Sequence, residues 1–260
     1  SFLSEEISNK GFKVAISGTG ADEIFTGYYD HFLLHLESQK KNKNFHTYLS
    51  HWQKYILPIL RNSGLKDPYL YINKKNNRDI VYEKGLNLEK YAIKKQNIKF
   101  EEVNFCSELL RKRMLNELFH EVVPIILKHD DLNSMYHSIE NRSPYLDKDL
   151  LSFALTLPPE ILIDNGFQKK ILRDAADGYI NDKVRLDRKK KGFNSSISSL
   201  VQLKNKNNFQ DLIKKNDPIN EYVNFKNIEK DINFKNIPNH LSKFIFSIIT
   251  TNIFLKENIN

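Results

Sequence analysis

The sequence predicts an α/β protein, mostly helical in this portion and built on a piece of parallel sheet. Three observations carry that class. Phe12 to Ile16 is a short apolar run of strand type. The turn Ser17-Gly18-Thr19-Gly20 follows at once, and from Asp22 to Lys40 the apolar residues Ile24, Phe25, Tyr28, Phe32 and Leu36 recur at helical spacing. Helix, strand, glycine turn, helix is the order of a parallel α/β unit.

The leading helix is Phe2 to Lys10, with Gly11 where a helix C′ glycine belongs. Downstream, helical patterns dominate. Tyr48, Leu49, Trp52, Ile56 and Ile59 form one stripe, and Leu109 to Leu127 forms another, bent near Pro124. Between them "RNSGLKDPYLYINKKNNRD" is turn-rich, either a short strand or a surface loop. Asp131 to Glu140 reads as a compact helix, and Asp147 caps a helix that Pro158-Pro159 stops. "GFQKKILRDAADGY" reads as a further helix that Gly178 ends. The run "FIFSIITTNIFL" is too short and too rich in Ser, Thr and Asn to span a bilayer, so a buried helix is expected.

A single strand cannot make a sheet, because its N–H and C=O groups need a neighbour. No second convincing strand is visible downstream. The missing strands are therefore expected from a preceding portion or a partner chain, and Ser1 in place of methionine agrees with a C-terminal piece of something longer. Residues 1–40 are then the remnant of the sheet, and 41–260 the helical part with substrate loops.

The formal charge of +8 raises a nucleic-acid reading. The lysines are scattered among asparagines along the whole chain, which is a solvated surface rather than a phosphate-tracking stripe, so neither nucleic acid nor membrane is expected as a partner. Cys106 is the single cysteine, which excludes an internal disulfide and predicts a reducing, cytoplasmic setting.

A glycine turn at the carboxyl end of a parallel strand, leading into a helix N-terminus, is where open α/β sheets hold anions. Gly18 and Gly20 let backbone approach a ligand, and Ser17 offers a hydroxyl. Asp22 and Glu23 would repel a bare phosphate, and the arrangement makes sense with a hard cation such as Mg2+ between carboxylate and phosphate. "GTGADE" lacks the third glycine of a dinucleotide fingerprint and the Lys-Ser/Thr of a Walker loop. Alone it is equally a tight turn with an acidic helix start.

Three more segments add to it. "KHDDLNSMYHSIENRSPYLD" groups Asp130, Asp131, Glu140, Arg142 and Asp147, "GFQKKILRDAA" carries Lys169, Lys170 and Arg173, and "RLDRKKKGF" places Arg188 and Lys189 to Lys191 before Gly192. Each alone is compatible with solvated surface charge.

Taken in order, "VAISGTGADEIFTGY", "DDLNSMYHSIENRSPYLD", "KKILRDAA" and "DRKKKGF" resemble the synthetase domain of the glutamine-hydrolysing asparagine synthetases. The family patterns are S-G-x-G-A-D-E-x-F-x-G-Y, D-x-x-S-M-x-x-S-x-E-x-R-x-P-F-L-D, K-x-x-L-R-x-A and R-x-K-x-G-F. The resemblance implies a PP-loop ATP pyrophosphatase fold that cleaves ATP between its α and β phosphates. A carboxylate substrate, aspartate in the family, becomes an acyl adenylate that ammonia derived from glutamine attacks. It also implies that Ser17, Gly18 and Gly20 contact ATP, that Asp22 binds Mg2+ on pyrophosphate, that Lys190 neutralises the phosphates, and that Glu140 and Arg142 shape the reaction centre from a neighbouring helix.

The chain departs from the family in three respects. It holds no N-terminal cysteine glutaminase and no S-G-G-x-D-S loop, so alone it is expected not to catalyse. At position 19 the asparagine synthetases carry Glu and the related β-lactam-forming enzymes Tyr, whereas this chain carries Thr19, which is no ready proton acceptor. A different acid, for instance a uronic acid of a surface polysaccharide, is therefore an alternative substrate, and a non-catalytic docking remnant a third reading.

Overall fold

A computed structural model describes residues 2–73, 88–94, 101–191, 197, 206–233, 237 and 239–258. The chain divides into two compact units, residues 1–77 with 101–190 and residues 78–100 with 191–260.

In the first unit, helix α1 (Phe2–Asn9) ends at Gly11, whose φ of +81° only glycine adopts freely. Strand β1 (Val14–Ile16) follows, then α2 (Ala21–Phe25) and α3 (Tyr29–Ser38). The single helix expected from Asp22 to Lys40 is thus broken. Thr26 has φ +70°, and its hydroxyl donates to the Leu162 carbonyl at 3.4 Å. Gly27 then passes so close to Asp22 that a Cβ there would overlap the Asp22 side chain.

Helix α3 is buried on nearly all sides: Phe32, Leu33, Leu34 and Leu36 lie in the core. Each such side chain contributes about 1.5–3 kcal/mol. Helix α4 (Phe45–Tyr55) buries Leu49 and Trp52 as its stripe requires. In "RNSGLKDPYLYINKKNNRD" a 3-10 turn forms at Ser63–Lys66 and helix α5 at Leu70–Asn73, and residues 74–79 lie outside the described residues.

Helix α6 (Leu109–Asn116) runs into a π-turn at Glu117–Glu121, where the Val122 N–H reaches back to the Glu117 carbonyl at 3.0 Å, and α7 (Val123–Tyr136) starts afresh with Pro124 in its first turn. The bend expected near Pro124 is therefore present. Of the compact helix expected from Asp131 to Glu140, residues up to Tyr136 are instead the last part of α7. After Ser138, at φ +55°, the chain straightens into strand β2 (Glu140–Arg142).

Strand β2 pairs with β1 in parallel, Val14 opposite Glu140 and Ile16 opposite Arg142. The expectation that β1 has no partner within this chain is corrected by that pairing. Among the described residues the sheet has these two strands, and its far edges carry no further strand.

Helix α8 (Lys148–Thr156) is capped by Asp147, whose carboxylate accepts the N–H groups of Asp149 and Leu150 at 2.9 Å. Helix α9 (Pro159–Leu162) leads into a hairpin of β3 (Ile163–Asp164) and β4 (Phe167–Gln168). This hairpin corrects the helix expected to begin at Gly166. Lys169, at φ +54°, separates β4 from α10 (Lys170–Ala175), and α11 (Asp182–Arg185) follows Gly178 at φ +75°.

The second unit comprises α12 (Lys206–Leu212), α13 (Phe225–Asp231) and α14 (Asn239–Asn258). Tyr91, Phe209, Ile228, Ile245 and Ile248 meet in its core. Helix α14 is buried on one face only, with Phe246 and Phe254 exposed on the other. Among the described residues no helix is long and apolar enough to cross a membrane.

Candidate functional site

The turn after β1 is built as its residue types require. The Ser17 N–H donates to the Arg142 carbonyl at 2.8 Å and so extends the ladder one step past the strand. Ser17 Oγ lies 3.0 Å from Ser143 Oγ and 3.2 Å from Thr19 Oγ1, a group of three hydroxyls at the strand ends. At Gly18 a Cβ would meet open space, whereas at Gly20, φ +95°, it would collide with Leu146. Gly18 thus leaves room for a ligand, and Gly20 is required for packing and backbone conformation.

The acidic pair separates in space. Glu23 is buried and accepts the Tyr28 hydroxyl. Burial, then the adjacent Glu23 carboxylate, holds the Tyr28 phenol far above its ordinary range. Asp22 points the other way, onto two lysines: the Lys190 ammonium at 2.6 Å and that of Lys169 in a second ion pair. Burial raises the Asp22 carboxyl pKa, but Lys190 and Lys169 outweigh it and hold the group below its usual value. A helix presents successive side chains about 100° apart, so Glu23 turns into the core and Asp22 alone of the acidic pair reaches the lysines.

Several elements converge to aim the lysines. Lys190 Nζ sits 3.8 Å from the centroid of the Tyr28 ring, a cation–π contact. Arg188 lies between two rings, 4.0 Å from that of Tyr55 and 3.8 Å from that of Phe167, and donates to the Asn165 carbonyl at 3.1 Å. This fastens the segment that carries Lys190. Lys169 is aimed by its left-handed backbone, with its N–H on the Thr26 hydroxyl at 3.3 Å. Gly192 and Phe193 of the same basic stretch lie outside the described residues.

Glu140 and Arg142 stand apart from this group. They lie on a strand rather than the expected helix, bonded to one another at 2.8 Å and largely exposed. Alternation along β2 puts them on the sheet face of Val14 and Ile16, opposite Ser17 and Ser143. Lys169 and Ser143 are the site residues that sequence reasoning passed over. Lys169 was one of three basic residues on what looked like a surface helix. The motif "KKILRDAA" is the signal that singles it out.

Behind Asp22 lies a buried polar cluster. Asp30, His31 and Glu117 bring ligand-type atoms within 4.8 Å of one another. Their positions are already taken by protein partners: Arg113 pairs with Asp30 at 2.5 Å and with Glu102 at 2.9 Å, and His31 Nε2 meets Glu117 at 2.8 Å.

One half-buried carboxylate facing two ammonium groups carries a net positive charge, which suits an anion better than a bare divalent cation. Mg2+ fits this donor set when it arrives with a polyphosphate, whose oxygens can take the lysines while Asp22 supplies a carboxylate. A parallel strand, a glycine turn at its carboxyl end and a cationic rim make an α/β protein whose turn is suited to an anion. Within that class the chain belongs to the asparagine synthase family, whose model matches residues 1–233. It is similar to asparagine synthetase [glutamine-hydrolyzing] 1 of Bacillus subtilis (strain 168), 29% identical over 209 residues, covering 74% of this chain and 32% of that protein. Asparagine synthetase [glutamine-hydrolyzing] 3 of the same organism is 29% identical over 192 residues, covering 70% of this chain and 26% of that protein. The chain therefore spans about a third or less of the length of these curated relatives. No solved structure matches it significantly.

Proposed function

We propose that the chain is the C-terminal part of the synthetase domain of an ATP-dependent, AMP-forming amide ligase of the asparagine synthetase type. A PP-loop sheet completed by residues outside this chain, or by a partner, would supply the remaining phosphate cradle. The observation that carries this reading is the convergence of Asp22, Lys169 and Lys190 beyond the open turn at Gly18.

In the reaction a carboxylate oxygen of aspartate attacks the α-phosphorus of ATP, the α–β bridging bond breaks, and pyrophosphate leaves. Ammonia from glutamine then attacks the activated carbonyl, the C–O bond to AMP breaks, and nitrogen loses a proton. Bound Mg2+ would neutralise charge on the departing pyrophosphate. Asp22 would hold that ion. Lys169 and Lys190 would move from the Asp22 carboxylate to phosphate oxygens, stabilising charge as it develops. Ser17 and Gly18 would position the AMP side. Glu140 and Arg142 would contribute from the exposed edge of β2, where a completed site would reach them.

The test is pyrophosphate release by the full-length protein containing this chain, given ATP, Mg2+, glutamine and aspartate. Asp22→Asn is expected to abolish it, and unchanged turnover overturns the assignment.

A second reading keeps the adenylation but changes the acid. Thr19 contributes only a neutral hydroxyl, already bonded to Ser17, where the family places a carboxylate or phenol. Pyrophosphate release with a uronic acid but not with aspartate would select it.

A further inference from the structure

Asp22 does not hold its position through α2 alone, since that helix is only five residues long. Its carboxylate rests against the backbone of Gly27, where any Cβ would overlap it. The Gly27 N–H in turn donates to His31 Nδ1 at 3.2 Å, and His31 Nε2 meets the Glu117 carboxylate at 2.8 Å at the start of the π-turn. The His31 ring also packs edge-on against Tyr28, centroids 5.2 Å apart, and Tyr28 is the ring over which Lys190 sits. Both halves of the Asp22–Lys190 pair therefore lean on one fully buried imidazole.

We propose that His31 is a positioning residue for Asp22, acting as a neutral imidazole through the backbone of Gly27. This rests on the reading of Asp22 given above. The chemistry is specific to histidine. Nδ1 must keep its lone pair to accept the Gly27 N–H, so the ring proton sits on Nε2 and is donated to Glu117. Burial lowers the His31 pKa, but Glu117 and Asp30 outweigh it and raise it, so the neutral ring is required by the Gly27 contact and not by the ionisation balance. That tautomer also keeps Nε2 from serving as a metal ligand within the Asp30, His31 and Glu117 cluster. Glu117 orients the ring, and Arg113, paired with Asp30, balances part of the cluster's charge. A side chain that packs equally well but offers no acceptor toward Gly27 would free the Thr26–Gly27 break, and with it the surface against which Asp22 is fixed.

Two near-isosteres separate the functions of the two ring nitrogens. Asn places an oxygen close to the Nδ1 position, and Gln places an amide close to Nε2. In the full-length protein containing this chain, His31→Asn is expected to keep the protection of the Gly27 amide from hydrogen exchange. His31→Gln is expected to speed Gly27 exchange roughly tenfold. In the unsubstituted chain, 15N NMR is expected to find His31 neutral with its proton on Nε2. A proton on Nδ1 overturns the proposal without requiring either variant to fold, and so does any other pattern between the two variants. None of these readouts needs turnover. Failure of the ligase reading appears separately, as absent Mg2+-dependent pyrophosphate release by the full-length protein.

Discussion

The carboxylate of Asp22 and the ammonium of Lys190, 168 residues apart in the chain, meet at 2.6 Å. Lys190 is thereby held beside the turn, and in the proposed reaction its release onto phosphate would be an exchange of partners rather than a search. Replacing it by alanine in the full-length protein is expected to lower the rate of pyrophosphate release about 10²–10³-fold. Lys190→Arg is expected to recover little, because a planar fork does not reproduce a compact point charge. Steady-state kinetics with a coupled pyrophosphate assay measures both.

The glycines of the site are expected to differ sharply. Gly27→Ala forces a Cβ into the Asp22 side chain and should destabilise the first unit by about 1–3 kcal/mol in urea denaturation. Gly18→Ala meets open space and should leave stability within about 0.5 kcal/mol, while weakening binding of an anionic ligand at the turn.

Arg188 is expected to act as the fastener of the Lys190 segment. Arg188→Ala removes two ring contacts and the bond to the Asn165 carbonyl, and should accelerate hydrogen exchange of residues 187–191. Arg188→Lys should not restore protection, since an ammonium cannot stack flat between Tyr55 and Phe167.

The Arg113–Asp30 pair is buried on both sides. Arg113→Met leaves Asp30 and Glu102 without their shared cation and should cost about 3–5 kcal/mol, whereas adding Asp30→Asn should recover part of that loss. A double-mutant cycle by thermal or urea unfolding reads the coupling.

His35 sets an acid limit. Burial lowers its pKa to about 3, and its Nε2 finds no hydrogen-bond partner among the described residues. The unfolded chain, with an ordinary imidazole, binds a proton between about pH 3 and 6.5 that the folded chain refuses, so stability falls as pH drops through that window. The slope is up to about 1.4 kcal/mol per pH unit. His35→Leu removes this contribution, and its acid unfolding curve should be correspondingly flatter.

The strand, the glycine turn and the caps were legible in the sequence, because each rests on local chemistry. Gly11 takes a positive φ, Asp147 bonds the N–H groups two and three residues on, and the Pro158-Pro159 pair follows the end of α8. Strand β2 was not legible. Three residues are too few to display a period of two, and Glu-Asn-Arg is polar because its side chains remain largely outside the core. The hairpin of β3 and β4 escaped for the same reason of length. The break at Thr26 and Gly27 interrupts a helical period that continues correctly on both sides, so periodicity alone could not reveal it.

By itself the sequence determined the family, the order of the motifs and the turn at which chemistry is expected, since these depend on residue identity and spacing along the chain. Only the tertiary structure decided which of the two acids faces outward, that Lys169 joins Lys190 on Asp22, and that His31 stands behind both. Those relations join residues far apart in sequence, and they follow from which faces of α2 and α3 the core covers. Burial turned Glu23 and His31 inward, and left Asp22 to meet the lysines.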